Sequence, residues 1–321
     1  MTVTLAGGTL DGVAKGSMEV WTDTVFQVRA ADRASEIRTV NVKLRGGSPA
    51  VFAVERGTAE ADLKVSANIV NYSGAKGSVA KTGEGIMVLS GKNTYSGGTS
   101  VNGGTLAAAS NQALGTGMAT VNSGGCLVLG GLGTDAGTVS LGNNILVKNG
   151  GILSGSATLS GNTVMEAGAV FELTLTMGGS AGGELACNSL MLQSGVFQID
   201  AGAKLKLAAL SLDYSTDFWG TSHILNFIEG GANATLTGNF TLDASSAGDY
   251  AAYGQWSLQK NEDSKEVSMV WTPNAAPEAS SAMASAFTAT APAPVPEPSS
   301  CMLLMAALGA VFLRRSVPRN E

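Results

Sequence analysis

The side chains best suited to chemistry lie close together late in the chain: Asp213, Asp217 and the single histidine, His223, interleaved with Tyr214, Phe218 and Trp219. Two carboxylates near an imidazole are the groups of general acid–base catalysis, and flanking aromatic rings suit a sugar. A turn with two aspartates is equally a common structural device, because Asp bonds its own backbone there. The chain holds no H-E-x-x-H or phosphate-cradling glycine loop and no metal-ligand spacing. Asp213, Asp217, Trp219 and His223 therefore stand as a candidate ligand-binding set, with no catalytic residue, cofactor or metal ligand nominated.

The elements that must carry these residues show a recurring unit. An apolar residue followed three places later by glycine occurs as Val101/Gly104, Val121/Gly124, Val147/Gly150, Met165/Gly168, Leu192/Gly195 and Ile199/Gly202. A second apolar residue follows at Leu106, Leu127, Leu153, Phe171, Phe197 and Leu205, so each unit reads as strand, tight turn, strand. The first five units start 20, 26, 18 and 27 residues apart, which suits stacked coils with loops of unequal length. An antiparallel sandwich also uses short strands and glycine turns. The solenoid is preferred because the unit is the same each time, and one coil cannot bury its apolar face alone. Interior positions are expected at Val101, Leu106, Val121, Leu127, Val147, Leu153, Met165 and Phe171. Gly104, Gly124, Gly150 and Gly168 are expected at turns of positive φ or close coil approach.

The run from Lys81 to Leu106, KTGEGIMVLSGKNTYSGGTSVNGGTL, is the clearest unit, with Met87 and Leu89 on one face and Asn93-Thr94-Tyr95 resuming the strand after Gly91. It closely resembles the autotransporter-associated β-strand repeat of exported bacterial β-helices, over 26 of the 321 residues. The resemblance implies export and a right-handed parallel β-helix.

Composition agrees with a packed body. The chain is 44% hydrophobic and 14% charged, so it has a core and little charge to place on stacked coils. Like charges repel about 4.8 Å apart, whereas Asn, Ser and Thr form hydrogen-bonded ladders. Charge is dense between residues 11 and 80, including Arg29, Glu36, Lys43, Arg45, Glu60, Asp62 and Lys64, and alternation places it on a solvated strand face. A net charge of −6 supplies no basic patch for nucleic acid. Cys126, Cys187 and Cys301 read as small buried hydrophobes rather than a disulfide framework. No secretory leader opens the chain; MTVTLAGGTL already has the form of a later unit, which points to a start inside a longer reading frame.

The body is expected to end in a hairpin, Trp256-Ser-Leu258 and Val267 to Trp271 around a polar turn, whose aromatic rings cap the last coil. From Pro273 the composition turns to Ala, Ser and Pro, an extended linker to residue 298. Then come Pro296-Glu297-Pro298, an apolar run to Leu313, and Arg314-Arg315. In order and spacing this resembles a PEP-CTERM sorting signal. The resemblance implies an exosortase-type membrane peptidase as partner, which would recognise Pro296, Glu297 and Pro298 and remove the helix and basic tail. A helix over 299–313 reaches about 22 Å against a hydrocarbon core of about 30 Å, a marginal span that suits a transient anchor as well as a permanent one.

The expected organisation is thus an N-terminal β region (1–80), a β-solenoid body (81–272) with the repeat at 81–106, a linker (273–298), and a sorting signal (295–321) with a transmembrane helix at 299–313. The expected function is an exported structural or adhesive surface protein, passing through the inner membrane to the envelope, outer surface or extracellular matrix, with polysaccharide or host glycan as a partner. The alternative is a polysaccharide lyase or hydrolase on the same scaffold.

Overall fold

The computed structural model describes residues 1–12, 16–38, 41–133, 137–177, 184–209 and 212–275, and the first of its two compact units runs from Met1 to Asn274. Three coils open it, each with one strand on each of three faces. They are β1 (Thr2–Leu5), β2 (Thr9–Leu10) and β3 (Ser17–Val20), then β4 (Val25–Val28), β5 (Ser35–Ile37) and β6 (Asn41–Leu44), then β7 (Ala50–Val54), β8 (Leu63–Val65) and β9 (Asn68–Asn71). The next two coils keep only the first two faces as strands: β10 (Val79–Thr82) with β11 (Ile86–Leu89), and β12 (Thr99–Val101) with β13 (Gly104–Ala108). Three strands return in β14 (Ala119–Val121), β15 (Gly125–Leu129) and β16 (Val139–Leu141), and again in β17 (Ile145–Val147), β18 (Ile152–Gly155) and β19 (Ala157–Leu159). The last coils use β20 (Thr163–Met165) and β21 (Val170–Met177), with β22 (Leu185–Cys187) folded back on it, then β23 (Leu190–Ile199), β24 (Lys204–Ala209), β25 (His223–Thr237) and β26 (Thr241–Asp243). The hairpin of β27 (Gly254–Asn261) and β28 (Glu266–Pro273) closes the unit.

Strands pair in parallel from one coil to the next, giving sheet orders β1-β4-β7-β10-β12-β14-β17-β20-β23-β25 and β2-β5-β8-β11-β13-β15-β18-β21-β24-β26. The unit is all-β, and its parallel sheets are those of a solenoid rather than a sandwich of sequential antiparallel hairpins. Among the described residues antiparallel pairing is confined to β22 against β21 and to the terminal hairpin, where β28 also joins β25. The long strands β23 and β25 each cross a corner, so β16 and β19 of the third face join the first sheet through them.

Equivalent residues stack along the axis. Val3, Phe26, Phe52, Lys81, Val101, Val121, Val147, Met165 and Ile199 form one inward ladder. Leu63, Met87, Leu106, Leu127, Leu153, Phe171, Leu205 and Leu242 form another. All eight expected interior residues are fully buried. Phe26 and Phe52 stack with ring centroids 4.6 Å apart, the separation that the coil rise imposes. At an outer corner the Arg45 guanidinium lies between the Trp21 and Tyr72 rings, 3.9 Å from each centroid, and Glu19 holds its edge.

The four expected turn glycines all have positive φ. Gly104 also abuts the coil below, where a Cβ would fall 2.5 Å from the Gly83 carbonyl oxygen, whereas Gly124 has open space and is required by its backbone angle alone.

Several expectations need correction. Leu192, Gly195 and Phe197 do not form a strand-turn-strand unit; all three lie within β23, and the coil after Met165 closes at Ile199 and Gly202. Coil-to-coil separations are accordingly 20, 26, 18 and then 34 residues. Leu192 matched the pattern because β23 turns a corner without breaking its ladder. Asp62 leaves the solvated set of charges, being only 3% exposed. Cys126 and Cys187 are half-buried; Cys126 lies between Thr105 and Ile152 on the outer side of the second sheet because its neighbour Leu127 takes the inward position. The linker from 276, Cys301, the helix at 299–313 and the sorting residues Pro296, Glu297, Pro298, Arg314 and Arg315 lie outside the described residues. Among the described residues no helix is long and apolar enough to cross a membrane.

Truncating Leu127 to Ala is expected to lower the unfolding free energy by about 2–5 kcal/mol, read from urea titration. Leu127→Asp, which puts a carboxylate into a dry ladder, is expected to leave no cooperative melting transition in circular dichroism.

Candidate functional site

Two places gather polar or aromatic groups with unusual surroundings: the coil beginning at Lys81 and the closed end around Trp219. Lys81 occupies an inward ladder position between Phe52 and Val101 and has no exposed surface. Its ammonium bends to the corner and donates to the carbonyls of Thr82 (3.0 Å), Gly83 (2.7 Å) and Gly103 (2.9 Å), the last belonging to the next coil. Burial pushes its pKa down to about 8, opposed by the charges of Glu84 and Asp62, so at neutral pH it stays protonated and supplies all three donors. Two corners that bare carbonyls inward are thus tied by one cation.

The third face of this coil is held by side chains. Asn93-Thr94-Tyr95, expected to resume a strand, forms none. Asn93 Oδ1 accepts from the Ile69 amide at 2.7 Å on one side, and its Nδ2 donates to the Ala113 carbonyl at 2.6 Å on the other. The amide thereby imitates one rung of a ladder. Tyr95, fully buried, donates its hydroxyl to Thr99 Oγ1 at 2.5 Å, which passes its own proton to the Leu114 carbonyl at 3.0 Å. Burial raises the Tyr95 hydroxyl well above its usual pKa, so it stays a donor.

At the closed end the four candidate residues part company. Trp219 is 2% exposed and packs among Tyr214, Trp256 and Trp271, with ring centroids 4.6, 5.8 and 5.2 Å away. Its indole N–H is spent on the Asp213 carbonyl (2.9 Å), and its own carbonyl accepts from the Trp271 indole (2.9 Å). Asp213 is exposed, and its carboxylate accepts from the Ser215 hydroxyl (2.6 Å) and amide (3.0 Å), which hold its pKa below the usual range. Asp217 is exposed in the short 3-10 helix Asp217–Gly220. His223 stacks on Phe218 at 4.0 Å and donates from Nε2 to the Phe218 carbonyl at 2.8 Å. The indole faces the core and both carboxylates face water, the disposition of a turn that seals a solenoid end.

Away from that end, burial pushes the thiols of Cys126 and Cys187 up to about 12 and about 11, so both stay protonated at neutral pH. Among the described residues no cluster of three or more His, Cys, Asp or Glu is arranged to hold a metal. Sequence reasoning saw Lys81 as the start of a repeat and missed its burial. The signal was present in the register, where a lysine stands in line with Val101, Val121 and Val147.

This geometry defines a parallel-coil β protein with a lysine-pinned central repeat. Residues 79–108, which span β10 to β13, match the passenger-associated-transport-repeat family. Residues 294–316 match the PEP-CTERM protein-sorting motif. Over 96 residues, 26% of this chain, the sequence is 38% identical to the adhesin BmaC autotransporter of Brucella suis biovar 1 (strain 1330), of whose length the match covers 3%.

Replacing Lys81 by Met is expected to cost about 2–4 kcal/mol, because three carbonyls lose a charged donor while a desolvated charge is removed; urea unfolding measures it. Trp219→Ala is expected to cost about 3–5 kcal/mol, whereas Asp213→Ala leaves the melting transition in place. Calorimetric melting of the two variants side by side separates a core residue from a surface one.

Proposed function

We propose that this chain is an exported cell-surface protein whose body, a right-handed parallel β-helix, serves a structural or adhesive role. The observation that carries the reading is the joining of a transport-associated repeat inside a coil stack to a PEP-CTERM sorting motif at 294–316. The likeness to an autotransporter adhesin supports adhesion in particular, and the right hand follows from the general chirality of parallel β crossovers. In this reading the solenoid comprises 1–80 and 81–272 as one stack, 273–298 is a spacer, and 295–321 is the signal with its apolar helix at 299–313.

The partner at the membrane is an exosortase-type peptidase acting at Pro296-Glu297-Pro298, with Arg314 and Arg315 on the cytoplasmic side. The body then goes to the envelope, the outer surface or the surrounding matrix, where a polysaccharide or host glycan is its contact. An enzyme on the same scaffold, a lyase or hydrolase, draws less support: Asp213 and Asp217 lie on a solvent-facing turn while Trp219 is spent in the core.

The test is to express the chain behind a signal peptide in a host that has the exosortase and to weigh the mature protein. The expected product ends near Pro298, and Glu297→Ala abolishes that cleavage. A product still ending at Glu321, the same with and without Glu297, leaves a permanent single-pass anchor in place of sorting.

A further inference from the structure

We propose that a cavity on the outer side of the second sheet binds a carboxylated sugar, with Lys64 holding the carboxylate and Glu60 the hydroxyls. The cavity, about 250 Å³, lies between two excursions from the coils and is lined by Glu60, Lys64, Val88, Ser90, Ala109 and Leu132. It is remote in the chain from the Trp219 end and includes none of the four residues considered there.

The first wall is built to stay still. The loop between β7 and β8 is braced by Asp62, whose carboxylate accepts from Arg56 Nη1 (3.0 Å), the Gly57 amide (2.7 Å) and the Ile86 amide of the next coil (2.7 Å). Arg56 also donates to the Ala59 carbonyl at 2.6 Å. Glu60, next along this loop, is exposed and reaches across to Gly133; a Cβ there would fall 2.1 Å from Glu60 Oε1. Glycine at 133, with φ of +53°, is what lets the two excursions close on each other. The opposite wall is Leu132.

The floor is the outer side of neighbouring strands. Lys64 on β8 stands in register with Val88 on β11, so the next rung along the axis, about 4.8 Å away, is aliphatic. Ala109 and Leu132 extend that surface. Arg56 pairs with Asp62 and Arg29 with Glu55, whereas among the described residues Glu60 and Lys64 make no ion pair; Glu36, in register with Lys64 on the coil before, is paired with Arg38.

A cation, an anion and an aliphatic floor within a ring-sized space define the ligand. It needs a carboxylate for Lys64, several hydroxyl donors for Glu60 and Ser90, and a hydrocarbon face for Val88 and Leu132. A sugar acid carries all three. A fatty acid lacks the donors, and a neutral sugar gives Lys64 no charge to meet. Glu60 would repel a second carboxylate on its side, so one acid group per bound ring is favoured. The proposal deepens the surface-adhesive reading and rests on it only for the setting in which such a glycan is met.

Isothermal titration of the full chain with a galacturonic acid oligomer, at low salt and at 0.5 M salt, tests the site, using a neutral glucose oligomer of equal length and a peptide with a free C-terminal carboxylate as comparisons. The expected result is binding of the uronic oligomer that weakens with salt, falls about tenfold or more in Lys64→Gln, and falls several-fold in Glu60→Gln. Both side chains are exposed, so both variants are expected to melt as the parent does. No binding, binding unchanged in Lys64→Gln, or tighter binding of the neutral oligomer or the peptide would overturn the proposal. Adhesion of cells displaying the chain is scored separately on an uncharged matrix. Adhesion there without uronate binding sinks the cavity and leaves the surface reading, and uronate binding by a chain whose mass shows no sorting cleavage does the reverse.

Discussion

Everything in this protein depends on the parallel ladder between successive coils. A coil can satisfy its backbone only by lending N–H and C=O groups to the coil on either side, and that fixes the rise between equivalent residues at about 4.8 Å. Side chains then have no choice of neighbour: each meets its counterpart one coil away. Apolar ladders such as Val101, Val121 and Val147 grow from that rule, as does the Phe26–Phe52 stack. The scarcity of charge in the middle coils has the same origin, because a repeated carboxylate would meet itself, whereas Asn122 can donate to Asn102 at 2.7 Å. Where charge is stacked, it alternates with something that accepts it, as Arg45 does between two rings.

A charge interrupts one of the apolar ladders, and the break is informative. Lys81 stands in a ladder of phenylalanine and valine, yet its ammonium reaches a corner where carbonyls of two coils converge. A tight turn between parallel strands bares carbonyls that cannot all find amides, and a lysine is long enough to answer three of them from inside. In the same coil a side-chain amide and a phenol replace the third strand. The region that matches a transport-associated repeat thus keeps backbone ladders on two faces and adds side-chain bonds on the third, where no strand forms. Such bonds are specific to residue type, because only an amide both accepts and donates across neighbouring coils as Asn93 does.

A stack must also end, and the closed end shows a different economy. Antiparallel pairing of β28 with β25 and β27 removes a parallel edge, and four rings, Tyr214, Trp219, Trp256 and Trp271, cover the last coil. Aromatic residues serve here because a cap spans several ladders at once, and only large side chains cover that breadth. Their polar atoms are each paired, Trp219 with Asp213 and Trp271 with Trp219. What looks in one dimension like a cluster of acids, histidine and aromatics is in three dimensions a lid.

The local chemistry of each unit was legible in the sequence alone. Period-two alternation placed Leu106, Leu127 and Phe171 inside, glycine three residues after an apolar position marked the corners, and the hairpin of Trp256 to Trp271 announced a cap. These features depend on neighbours in the chain, so they survive in one dimension. The tertiary structure alone decided which unit stacks on which. Leu192, Gly195 and Phe197 satisfy the pattern, yet they lie along one strand, because register is chosen by a coil 34 residues away and not by local spacing. It likewise decided that Lys81 is buried, that Trp219 turns inward while Asp213 turns out, and that Glu60 meets Gly133 across intervening coils. Each of these depends on contacts between residues far apart in sequence, and such contacts exist only once the ladder has set the distance between coils.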